Sequence, residues 1–85
     1  MNKYEIVKKQ IDKMDYYGLL SGGAPDDEFV CEAKEIAARI ELSMSSKEIS
    51  EIIANVFNKS FGEYDNADRF INVAEAIVNN FTQVH

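Results

Sequence analysis

Apolar residues return at spacings of three and four along four separate stretches of this 85-residue chain. That period matches the roughly 3.6 residues of a helical turn, not the two of a strand. The first stretch runs from about Lys3 to Met14, where Tyr4, Val7, Ile11 and Met14 share a face and charged residues fill the rest. The second begins near Asp26. Pro25 suits a helix entry, and Asp26, Asp27 and Glu28 fill a first turn that favours carboxylates. Its stripe is Phe29, Val30, Ala33, Ile36, Ala37 and Ile40, with an end expected around Leu42 to Met44. The third starts at Ser45, which with Glu48 forms a capping box. Ile49, Ile52, Ile53, Val56 and Phe57 make its face, and Phe61 should pack just inside a stop at Gly62. The fourth starts at Asp65 or Asn66, both good caps, and carries Phe70, Ile71, Ala74, Ile77, Val78 and Phe81.

Between the first two stretches, residues 15–25 hold three of the four glycines and the only proline. Turn chemistry makes this a loop. It also carries Tyr16, Tyr17, Leu19 and Leu20, so part of it is expected to fold back over the helices. The expected architecture is therefore all-α: one domain over residues 1–85, a four-helix antiparallel or partly open bundle with a long first loop. A chain this short buries only about 60% of its unfolded surface, so the core is thin.

The residue types exclude most chemistry. Cys31 is the only cysteine and His85 the only histidine, which rules out an internal disulfide and a four-ligand zinc site. Cys31 has no internal His to serve as its base and is expected to be a quiet, partly buried thiol. Gly22 and Gly23 precede a helix but lack the Gly-Lys-Ser/Thr ending of a phosphate cradle. Asp65 to Asp68 lacks the alternation and central glycine of a calcium loop, so helix capping is the expected role of Asp65. The helix-opening serine motif of acyl carrier proteins is missing as well. Glu28, Glu32 and Glu35 lie on one helix face, but a two-carboxylate acid–base site needs one member buried, and all three are expected to be exposed. No enzyme activity, cofactor or metal is expected. The N-terminus shows no signal peptide, and no apolar run could span a membrane. With the lone cysteine, this points to a cytoplasmic protein.

Charge is the informative remainder. The net charge is −6. Residues 15–35 sum to −5 and residues 63–85 to −3, while residues 1–14 sum to +2 and residues 36–62 to zero. Such a field repels nucleic acid and attracts a basic protein. Exposed aromatics beside acid mark interfaces, so the expected partner-binding residues are Asp15, Tyr16, Tyr17, Asp26, Asp27, Glu28, Glu32, Glu63, Tyr64, Asp65 and Asp68.

The run Asp15-Tyr16-Tyr17-Gly18-Leu19-Leu20, then Gly23-Ala24-Pro25-Asp26-Asp27-Glu28-Phe29, resembles the YugE-like family of short bacterial helical proteins. Val56-Phe57 and Phe61-Gly62 fit its third helix. Met14 stands where that family tends to have Trp, and Tyr16 where it tends to have Pro. The resemblance implies a compact four-helix fold and no established activity. In size, acidity and helicity the chain is also similar to immunity proteins of bacterial toxin systems, including contact-dependent growth inhibition. The expected function is thus non-enzymatic: an acidic immunity protein, monomeric or weakly dimeric, that neutralises a cognate basic, nuclease-like toxin domain. The competing expectation is a housekeeping adaptor or homo-oligomer.

Overall fold

The computed structural model describes residues 2–14, 29–41 and 43–82. Over these the chain is an all-α bundle with no strand: α1 (Lys3–Met14), α2 (Val30–Arg39), α3 (Ser46–Phe61), a 3-10 turn (Ala67–Phe70) and α4 (Ile71–Thr82). The long first loop lies outside the described residues, and with it Asp15, Tyr16, Tyr17, Asp26, Asp27 and Glu28.

Side-chain caps start α1, α3 and the last segment, whereas α2 starts after Phe29 without one. Asn2 opens α1, its Oδ1 accepting the Glu5 N–H at 2.8 Å, a cap the apolar spacing does not reveal. Ser45 and Glu48 form the expected capping box, which satisfies donors that a helix start otherwise leaves unpaired. Gly62 ends α3 in the left-handed region at φ 67°, a conformation that costs other L-residues about 1–2 kcal/mol. Asn66, not Asp65, caps the last segment, accepting the Asp68 N–H at 2.9 Å.

Two boundaries of α2 differ from expectation. It begins at Val30 rather than near Asp26, because Phe29 leaves helical geometry at φ −105°, ψ 17° and is fully buried. It ends at Arg39 rather than around Leu42 to Met44, because Ile40 turns extended at ψ 149° and is also fully buried. The Ile40 carbonyl accepts a hydrogen bond from Lys3 Nζ at 2.9 Å. That bond ties the start of α1 to the end of α2, so the two helices run antiparallel.

Each helix packs on its neighbours in sequence, and α4 closes the ring on α1. The core takes Val7 and Ile11 from α1, Ala33 and Ile36 from α2, Ile49 and Ile53 from α3, and Ala74 and Ile77 from α4. At one end Phe57 is the centre of an aromatic cluster. Its ring stacks on Phe61 (5.6 Å, 10°) and Phe70 (5.8 Å, 19°) and tilts against Phe29 (5.9 Å, 59°). The start of α2, the end of α3 and the entry to α4 therefore meet at one point, directly beneath the α3–α4 connection.

Several side chains sit where the apolar spacing does not put them. Glu32 is buried at 9% exposure instead of lying on a solvated acidic face. The cause is periodicity: Glu32 is three residues after Phe29 and four before Ile36, inside the core stripe. Ile52 is half-buried at the margin of the core rather than within it. Cys31 is exposed rather than partly buried, because it lies across the helix from Ala33 and Ile36.

Candidate functional site

The connection between α3 and α4, residues 62–66, and the turn that follows it carry the described part of the acidic patch. Asn58, in the last turn of α3, organises it. Its backbone carbonyl accepts from the Gly62 N–H and from the Glu63 N–H, the latter at 3.1 Å. Its side-chain Oδ1 accepts the Asp65 N–H at 2.9 Å, and its Nδ2 donates to the Asp65 carbonyl at 3.1 Å. One residue thus holds the loop at both ends. Asp65 is further anchored by an ion pair with Arg69 at 2.8 Å, and the Arg69 guanidinium lies 5.8 Å from the Phe70 ring centroid.

The loop presents Tyr64 outward. It is 99% exposed, the one large apolar side chain so placed among the described residues, while its neighbours on both sides are held by Asn58. Glu63 is half-buried and Asp68 exposed. The result is an aromatic face with carboxylates beside it on a braced backbone. Such a surface suits a cation, which the face of a tyrosine ring attracts and which carboxylates steer. A loop already fixed in place loses little freedom when it binds.

The structure brings Glu63, Tyr64, Asp65 and Asp68 together. It separates their roles, because the Asp65 carboxylate is committed to Arg69 whereas Tyr64 and Asp68 face solvent. Glu32 stands apart, buried on α2. Sequence spacing misses Asn58, whose only signal is a side-chain amide shortly before the helix-ending Gly62.

A second charged cluster lies across α2 and α3. The Glu35 carboxylate pairs with Lys59 at 2.9 Å and with Arg39 at 3.3 Å. The hydrogen bond from Lys59, aided by both positive charges, holds the Glu35 carboxyl below its ordinary value against an opposing effect of burial. Among the described residues, no group of three or more His, Cys, Asp or Glu side chains is placed to share a metal ion. No helix among them is long and apolar enough to cross a membrane. No family model, no curated protein and no solved structure matches the chain.

Proposed function

We propose that this chain is a non-enzymatic binding protein that captures a basic protein surface, and that its partner is a cognate bacterial toxin domain of nuclease-like charge. The observation that carries the reading is Tyr64: a fully exposed tyrosine on a braced acidic loop. Exposed large apolar side chains that serve no core are candidates for interface anchors, and tyrosine is enriched among the residues that dominate binding energy. A net charge of −6 supplies long-range attraction to a basic partner and speeds the encounter. A toxin that binds nucleic acid carries a cationic cleft, which is the surface such an acidic cap would cover. The resemblance to the YugE-like family, which implies no activity, is compatible with this reading.

The test is protection on co-expression with a toxin domain encoded beside this chain's gene. The wild type restores growth. Tyr64→Ala weakens the complex by at least about 2 kcal/mol, roughly thirtyfold in Kd, and Glu63→Lys with Asp68→Lys abolishes protection. Reversal of Asp26, Asp27 and Glu28 to Lys has the same effect if the first loop shares the surface. Full protection by the Tyr64→Ala and the Glu63/Asp68 variants would reject the loop as the binding surface. Growth arrest despite soluble wild-type protein would reject the immunity role.

A further inference from the structure

The outer face of α3 carries a second feature, independent of the loop. Met44, Glu48, Glu51, Ile52 and Asn55 line an open groove of about 290 Å³. Glu48, Glu51, Ile52 and Asn55 recur at helical spacing on one face, and Met44 approaches from the segment just before the helix. Ile52 is half-buried at the margin of the core, and Met44 is likewise half-buried. The groove therefore has an apolar floor. Its rim is anionic: Glu48 and Glu51 are both exposed, and Lys47, exposed beside them, does not line it. Glu48 is held in place by the capping box, its Oε1 accepting from the Ser45 N–H at 3.4 Å. Glu51 forms no ion pair with any described residue. The groove lies in the first half of α3, and Ile52 is about 14 Å along the helix axis from Phe61 and the Tyr64 loop.

We propose that this groove is a docking site for a short cationic peptide segment, one apolar side chain seated on Met44 and Ile52 and flanking Lys or Arg side chains paired with Glu48 and Glu51. Charge complementarity selects this occupant. An acidic segment would meet two carboxylates, and a purely apolar one would leave both of them partly desolvated and unpaired. The volume, just under the roughly 300–1,000 Å³ of sites that enclose drug-sized ligands, fits an anchor side chain rather than a domain. Methionine, unbranched and polarizable, adapts to such anchors.

The experiment is an amide-resolved NMR titration of the whole chain with a synthetic amphipathic peptide of about 12 residues, roughly three helical turns, bearing Leu anchors and Lys flanks. The expected result is shifts at Met44, Glu48, Glu51, Ile52 and Asn55. Glu51→Lys, at an exposed position without a structural bond, weakens binding about tenfold, while Tyr64→Ala leaves it unchanged. Replacing the Leu anchors with Ser removes these shifts. Equal binding by the Ser peptide, by a peptide with Glu in place of Lys, or shifts confined to residues 62–68 would overturn the proposal. So would the same groove shifts on simply concentrating the protein, which would identify a second copy as the occupant.

Discussion

Replacing Asn58 with Ala removes both side-chain bonds to the Asp65 backbone and leaves two partly buried backbone groups without their partner. The expected cost is about 1–3 kcal/mol, read as a lower urea midpoint at unchanged slope. Faster amide exchange at residues 63–66 should accompany it. A stability unchanged from wild type would show that the loop is braced by Gly62 and the Asp65–Arg69 pair without it. Glu35 offers a second test. Its carboxyl is lowered in the folded state, so its contribution to stability is present above the ordinary carboxylate pKa and is lost as pH falls through the lowered value. Lys59→Gln removes the largest cause. The Glu35 titration midpoint, followed by carboxyl carbon NMR, should then rise towards its ordinary value, with Arg39 preventing full return. Because the group is partly exposed, the effect belongs to its titration far more than to overall stability.

At the scale of elements, Phe57 joins α2, α3 and the entry to α4 through three ring contacts. Phe57→Ala should cost about 3–5 kcal/mol and, by undercutting the α3–α4 connection, should also weaken any binding that depends on Tyr64. Phe57→Leu, which fills more of the space, should recover part of the loss in the same thermal melt. The helices themselves were largely legible in sequence, because apolar spacing, the Ser45–Glu48 box and the Gly62 stop all act within a few residues. The boundaries of α2 were not. Phe29 and Ile40 lie on the helical stripe, yet both leave helical geometry because burial in the bundle outweighs the continuation of one more turn. The position of Glu32 was available from periodicity alone, but reading it as one of a set with Glu28 and Glu35 concealed its place among the core residues. The brace at Asn58 depends on a contact seven residues away through a side-chain amide, which spacing does not encode.

For the whole molecule, the ring of four helices fixes two separate surfaces on α3: the acidic loop at its end and the groove along its first half. Charge segregation was readable from the sequence because it is a sum over segments. Which carboxylates remain available to a partner was not, since that depends on pairings such as Asp65 with Arg69. The most direct test of a basic protein partner is affinity capture from the source organism's lysate with the wild-type chain and with the Glu63→Lys, Asp68→Lys variant side by side, read by mass spectrometry. The account predicts one stoichiometric basic protein on the wild type, absent from the variant and released by about half-molar salt, which shortens the screening length to well under 10 Å. Recovery of the chain alone, of a second copy of itself, or of the same protein on both baits would contradict it.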